Sequence, residues 1–272
     1  MKDTDCVAFL QWALPNLRFR WPGFRKVRKQ VCKRIDRRIK ELGLADVPHY
    51  RGYLQEHPAE WAHLDELCRI PITRFYRDKA VFRRLADDVL PSLAERALAG
   101  GDGEVRAWSV GCASGEEPST LVILWRSFIA PRFPALDFRV VATDVSVEAL
   151  IRARRACYPR SSLKELPSDL MDQAFKESAE GYCLKDGFSR QITYLNQDIR
   201  REMPDGVFHL ILCRYLVFTY FDEALQRETL ERVLTRLVPG GALVLGTMER
   251  LPAEAPPLEP WFLRERIYRK PG

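Results

Sequence analysis

Two adjacent carboxylates, Glu116 and Glu117, stand near the end of Ala107-Trp-Ser-Val-Gly-Cys-Ala-Ser-Gly-Glu-Glu-Pro-Ser-Thr120, an apolar run that breaks at Gly111 and turns again at Gly115. Paired acids beside a glycine turn select a ligand by charge. They would repel a pyrophosphate seated on a helix N-terminus, so the loop suits a non-phosphorylated, cationic ligand. A third acid, Asp144, ends the run 138–143. An acid at the end of a second strand takes ribose hydroxyls in nucleoside-binding α/β folds, or caps the helix that follows.

The elements that must hold these groups can be read around them. Residues 107–110 form a short strand, the glycines let the backbone turn tightly and approach a ligand, and 121–125 continue as an apolar helix face. Residues 207–213 are apolar almost throughout, as central parallel strands are. They deliver Arg214 and Tyr215 to the strand's C-terminal end, where open α/β sheets bind ligands. A helix over 223–237 and a turn at 239–241 lead to another strand, 242–246. Taken alone, Gly-x-x-x-Gly also fits a tight turn with a helix-capping acid.

Composition suits an α/β domain with a small accessory one: 272 residues, 46% of them hydrophobic. No apolar run is long enough to cross a bilayer, and the first five residues lack the form of a signal peptide. Seven cysteines are scattered without a Cys-x-x-Cys pair, which argues for reduced thiols in a cytoplasm and against structural zinc.

Residues 18–40 hold eleven Lys and Arg against the single acid Asp36, in a chain whose net charge is +6. Val27, Val31, Ile35 and Ile39 recur every four residues, with Arg28, Lys29, Lys33, Arg37 and Lys40 off that stripe. The pattern gives an amphipathic helix over 24–42 with a cationic face, ending at Gly43. Such a face is either a solvated surface or a recognition surface for an acidic protein or a nucleic acid. Phe19, Trp21 and Phe24 ahead of it fit core anchors better than base-stacking platforms. Residues 42–67 complete a small helical bundle, and Pro71 marks an extended linker. Further on, 161–175 is helical in pattern, and 181–194 alternates around Asp186-Gly187, a hairpin signal.

Several blocks together carry a family resemblance: Thr73-Arg-Phe-Tyr-Arg-Asp78, Gly111-Cys-Ala-Ser-Gly-Glu-Glu-Pro118, Ala142-Thr-Asp144, Cys213-Arg214 with Tyr220-Phe-Asp222, and Leu237-Val-Pro-Gly-Gly241. The chain resembles the chemotaxis receptor glutamate O-methyltransferases, the CheR family, as a divergent member. That resemblance implies a class I S-adenosylmethionine-dependent methyltransferase (Rossmann-like) α/β domain with an N-terminal helical domain and a small β-hairpin subdomain. The matching boundaries are 1–70 for the basic helical domain, 71–80 for a cofactor-contacting linker, and 81–272 for the methyltransferase domain, with the β-subdomain inserted at about 159–196.

The cofactor implied is S-adenosylmethionine, with S-adenosylhomocysteine as product. Thr73 and Arg77 would open a helix and reach the cofactor, although Thr73 also fits a plain N-cap. Gly111, Glu116, Glu117, Asp144, Asn196, Gln197, Arg214 and Tyr215 complete the implied cofactor set, with Glu116 or Glu117 meeting the methionine amine and Asn196 near the adenine. Tyr220 is the candidate for positioning the acceptor, or a core tyrosine beside Phe221. The acceptor implied is an acidic protein, such as a chemoreceptor cytoplasmic domain, docked on the basic helix. The chain departs from the family at Pro71, Ser119, Tyr215 and, within Gly246-Thr-Met-Glu249, at Thr247 and Met248, so cofactor binding is expected to be kept while either the pocket is rebuilt or the acceptor differs.

Overall fold

The computed structural model describes residues 2–272; Met1, the first residue of the expected helical domain, lies outside the described residues. The chain divides into two compact units. One comprises the chain through Ile70 with Thr219–Gln226, the other Pro71–Phe218 with Arg227–Gly272.

The first unit holds helices α1 (Asp3–Asn16), α2 (Trp21–Phe24), α3 (Arg28–Glu41), α4 (Val47–Glu56) and α5 (Glu60–Cys68). The four-residue apolar spacing places Val31, Ile35 and Ile39 of α3 in the core, while Lys29, Lys33, Arg37 and Lys40 are exposed. Gly43, at φ +68°, follows the helix in the left-handed region that glycine adopts without a Cβ clash. Two basic residues of α3 turn inward. Arg34 donates to the Leu67 and Arg69 carbonyls. Arg38 makes a two-pronged pair with the buried Glu60, through Nε at 2.9 Å and Nη2 at 2.8 Å, and the Tyr50 hydroxyl adds a third bond at 2.9 Å. Burial opposes the Glu60 charge, but Arg38 and Tyr50 prevail and hold its carboxyl below the ordinary range. Phe19 and Phe24 are core residues, with ring centroids 5.6 Å apart.

The second unit is built on strands β1 (Glu104–Val110), β2 (Asp137–Asp144), β3 (Cys157–Tyr158), β4 (Phe175–Ser178), β5 (Gly181–Leu184), β6 (Ile192–Asn196), β7 (Phe208–Cys213), β8 (Leu237–Leu245), β9 (Glu259–Phe262) and β10 (Ile267–Arg269). Among the described residues seven of them form one sheet in the order β6-β2-β1-β7-β8-β10-β9. The run from β6 to β8 is parallel, and β10 and β9 add antiparallel strands at one side. Its strand order reverses at β1, which places the C-terminal ends of β1, β2 and β7 around a crevice. The helices that follow α5 are α6 (Lys79–Arg84), α7 (Leu90–Gly100), α8 (Glu116–Leu124), α9 (Val147–Arg155), α10 (Ser168–Ala174), α11 (Asp186–Ser189), α12 (Val217–Tyr220) and α13 (Glu223–Thr235). A stacked pair, Trp125 against Phe138 at 4.5 Å, packs the helix layer onto β2.

Four expectations differ from the structure. The hairpin is β4–β5, closed at Gly181 with φ +114°, and not a turn at Asp186-Gly187. Asp186–Ser189 is a helical turn, and β6 pairs in parallel with β2 in the main sheet. Period-two alternation marks strands but does not say which sheet each joins. Helix α6 starts at Lys79, so Thr73 and Arg77 lie in irregular backbone in which Tyr76 and Asp78 have positive φ. Residues 239–241 interrupt the pairing of β7 with β8 instead of preceding the strand. Finally, Cys6–Cys32 and Cys157–Cys183 are disulfide-bonded, leaving Cys68, Cys112 and Cys213 as buried thiols. Pairing depends on proximity across α1 and α3 and across β3 and β5, which cysteine spacing does not encode. Among the described residues no helix is long and apolar enough to cross a membrane.

Candidate active site

The loop after β1 is pinned to β2 by its own backbone. The Gly111 and Cys112 amides donate to the Thr143 carbonyl at 2.8 and 3.0 Å. Gly111 and Gly115 have φ of +69° and +89°. A Cβ at Gly115 would lie 2.7 Å from the Tyr194 hydroxyl, so the turn tolerates no side chain there. Asp144 braces the same loop: its Oδ2 accepts from the Ala113 amide and its Oδ1 from the Ser146 amide, both at 2.8 Å. The cap of α9 is Ser146, whose hydroxyl accepts from Ala149 at 3.2 Å. Of the two alternatives for Asp144, capping therefore belongs to its neighbour.

The paired acids diverge. Glu117 accepts from the Ser109 hydroxyl at 2.8 Å on Oε1 and from Arg214 Nη1 at 2.9 Å on Oε2. Glu116 is 4% exposed, and its Oε2 has no hydrogen-bond partner among the described residues. Burial pushes its carboxyl up to about 7, against smaller lowering effects from its own backbone amide, the Thr73 hydroxyl and Arg152. A second buried acceptor, Gln197 Oε1, is also without a partner. The Gln197 amide donates to the Asp144 carbonyl at 3.1 Å, and Asn196 Nδ2 donates to the Asp144 and Val145 carbonyls at 3.0 Å each. The amide nitrogen of exposed Asn196 is thus committed to the loop after β2.

Past β7, the polar groups interlock, although Arg214 Nε is buried without a hydrogen-bond partner among the described residues. Arg214, buried at 6% exposure, joins Glu117 to Asp78 Oδ2 (2.6 Å) and to the Arg77 carbonyl (2.9 Å). Burial disfavours its charge, but Glu117 and Asp78 more than offset this and raise its pKa. The Tyr215 hydroxyl donates to Asp78 Oδ2 at 2.5 Å, lies 2.9 Å from Thr247 Oγ1, and accepts from the Thr247 amide at 3.2 Å. Glu249 Oε2 accepts from the Tyr215 and Gly246 amides at 2.8 and 2.7 Å. The Arg77 guanidinium carbon lies 4.0 Å from the centroid of the Tyr215 ring, and its Nη1 donates to the Ile72 carbonyl at 2.6 Å.

Gly111, Glu116, Glu117, Asp144, Asn196, Gln197, Thr73, Arg77, Arg214 and Tyr215 all belong to the second unit, whereas Tyr220 belongs to the first. There the Tyr220 ring meets Phe24 edge-on at 5.0 Å, and its carbonyl accepts from the Arg20 amide at 2.8 Å. Asp78, Thr247 and Glu249 were not singled out as site residues from the sequence. Asp78 closes the block that begins at Thr73, so a search for the carboxylate partner of Arg214 had a signal there. Thr247 and Glu249 lie in the block 246–249 that the family resemblance already marks, but their partner, Tyr215, is brought to them only by the pairing of β8 with β7.

Comparison with known proteins assigns the chain to a family. A protein-family model described as the CheR methyltransferase, SAM binding domain, matches residues 72–265. A probable chemotaxis protein methyltransferase from Rhizobium etli is 32% identical over 83% of this chain and 85% of its own. The chemotaxis protein methyltransferase of Escherichia coli is 30% identical over 82% and 76%, respectively. A probable biofilm formation methyltransferase, WspC, from Pseudomonas aeruginosa is 31% identical over 80% of this chain and 51% of its own. The residues present suit S-adenosylmethionine: the buried, unpartnered Glu116 oxygen calls for a cationic donor such as an ammonium group, and the unpartnered Gln197 oxygen for a second donor. The chain belongs to the CheR methyltransferase family and is an S-adenosylmethionine-dependent methyltransferase of class I fold.

Proposed function

We propose that the protein methyl-esterifies glutamate side chains of an acidic, chemoreceptor-like protein from the cytoplasmic side. The observation that carries the acceptor is the face of α3. Arg34 and Arg38 are spent inside their own unit, while Lys29, Lys33, Arg37 and Lys40 are exposed on one helix, Lys40 in a 2.8 Å pair with Asp36. Four cations at that spacing attract a carboxylate-rich surface. The names of the Rhizobium and Escherichia relatives point the same way. Cytoplasmic placement rests on this choice of acceptor, since the cysteine argument for it is removed by the two disulfides.

On the donor side, Glu116 takes the methionine ammonium, Asp144 the ribose, and Gln197 with Asn196 the adenine end, while Thr73 lies beside Glu116. The cofactor supplies an electrophilic methyl group on a sulfonium. A glutamate acceptor, with an ordinary pKa of about 4.3, is already ionised at neutral pH and needs no general base. The protein's work is then alignment of acceptor, methyl and sulfur, and exclusion of water that would solvate the carboxylate. None of His49, His57, His63 and His209 is asked to move a proton. His209, for one, is satisfied by the Arg106 amide and Asp102.

The test is transfer of labelled methyl from S-adenosylmethionine to a receptor cytoplasmic fragment. A base-labile ester on the fragment is expected. An unlabelled fragment together with a base-stable product on nucleic acid or a small molecule refutes the reading. A second reading keeps the chemistry and changes the pathway, as the name of the biofilm-associated relative suggests; it predicts labelling of that pathway's receptor in preference to a chemotaxis receptor.

A further inference from the structure

Tyr215 stands where the resembled family commonly carries Asn, and its ring and backbone are packed closely by residues of the site. A Cβ on Gly246 would fall 2.6 Å from Tyr215 Cε1 and 2.8 Å from both Cδ1 and Glu249 Oε2, so glycine at 246 is what admits the ring. The residue has φ +56°, a left-handed conformation that a bulky side chain adopts only when its surroundings hold it there. Three contacts do so: the Glu249 carboxylate on its amide, Asp78 and Thr247 on its hydroxyl. Burial, followed by the nearby Asp78 carboxylate, raises the phenol pKa, so the hydroxyl stays a donor.

Across the ring face lies Arg77, which the family resemblance implies reaches the cofactor. Its guanidinium makes one hydrogen bond among the described residues, to the Ile72 carbonyl. The remaining N–H groups are available to a ligand, and the ring fixes the plane in which they lie. An arginine takes a carboxylate through two parallel N–H groups, so the plane of the fork decides whether the pair forms.

We propose that Tyr215 is a positioning residue that holds the Arg77 guanidinium flat on its ring so that the free edge of Arg77 receives a carboxylate, either that of the cofactor's methionine portion or that of the acceptor. The proposal rests on the methyltransferase assignment and not on which protein is the acceptor. It replaces the role of a small amide by an aromatic platform anchored on Asp78 and Thr247.

A mutant cycle in the full-length protein tests it, with binding read by calorimetry and transfer read with labelled cofactor. Tyr215→Leu is expected to weaken S-adenosylhomocysteine about tenfold while leaving 5′-methylthioadenosine, which lacks the carboxylate, unchanged; this assigns the carboxylate to the cofactor. Unchanged S-adenosylhomocysteine affinity with about a tenfold lower kcat/KM for a methyl-accepting fragment assigns it to the acceptor. In either case Tyr215→Leu should add less than about twofold when Arg77 is already Ala, and Tyr215→Phe, which keeps the ring but loses the Asp78 and Thr247 anchors, should fall between the parent and Leu, about threefold below the parent. Equal losses with and without Arg77, a Phe variant as impaired as Leu, or no loss in either readout overturns the proposal. If the Leu variant does not fold, Tyr215→Asn takes its place in the same cycle. A parent protein that binds S-adenosylhomocysteine yet labels no receptor fragment refutes the receptor reading alone, because the binding arms still test Tyr215.

Discussion

Glu116 and Glu117 share one helical turn, yet Glu117 is closed by Ser109 and Arg214 while Glu116 keeps an oxygen that no described group reaches. The same contrast separates the two sides of the site. Around the glycine turn, Glu116 and Gln197 each bury an acceptor without a donor. Past β7, Arg214, Asp78, Tyr215, Thr247 and Glu249 interlock their polar groups. A buried acceptor without a donor costs free energy that a ligand recovers on binding, whereas a network of interlocked charges, even with Arg214 Nε left unpaired, stabilises the fold and fixes geometry. On the reading proposed above, the open side takes the cofactor's ammonium and adenine end, and the closed side chiefly fixes geometry, including that of Arg77.

The sharpest way to break that contrast is at Arg214. Arg214→Met leaves Glu117 and Asp78 without their common cation, and unfolding in urea should show a loss of about 3–5 kcal/mol, the range for breaking a buried ion pair from one partner. A loss under about 1 kcal/mol would mean that the network is not scaffold. Glu116→Gln should do the reverse: little or no loss of stability, and S-adenosylmethionine binding weakened by about tenfold to a hundredfold in calorimetry, the scale of a charge-assisted hydrogen bond.

The pH dependence of binding sharpens the same point. Without ligand the Glu116 carboxyl is pushed up to about 7 by burial, and a bound ammonium favours its ionised form. Binding below that pH must expel the proton, so affinity should fall by up to about tenfold per pH unit as pH drops below about 7, and flatten above it. The folded chain without ligand shows the opposite trend. Because it holds this proton more tightly than the unfolded chain, the associated stability is full below the ordinary carboxyl range and is lost as pH rises through about 7. Both trends should vanish in Glu116→Gln. The smallest expected effect is at Asp144: Asp144→Asn loses charge on the acceptor for the Ala113 amide, and cofactor affinity should fall about threefold to tenfold.

Much of the donor side is legible along the chain because its signals are local. A glycine turn, an acid one residue after it, an acid at the end of the next strand and an apolar run ending in Arg214 each lie within one strand-loop-helix step. The basic face of α3 is equally local, since a repeat of four residues suffices to place Val31, Ile35 and Ile39 inside. Where two chain segments must meet, the sequence stops short. It left Glu116 and Glu117 interchangeable, and their difference arises because Arg214 arrives from β7, far along the chain. It placed a hairpin turn at Asp186-Gly187, whereas the adjoining strands went to separate sheets.

By itself the sequence determined the strand and helix periodicities, the glycine turn and the charge of its company, because those depend on residues a few positions apart. Tertiary structure alone decided which acid stays open, which cysteines pair, and that Tyr215 lies under Arg77 and against Gly246. Hydrogen bonds and ring contacts are satisfied in space, and distance along the chain does not encode which distant donor reaches an acceptor first.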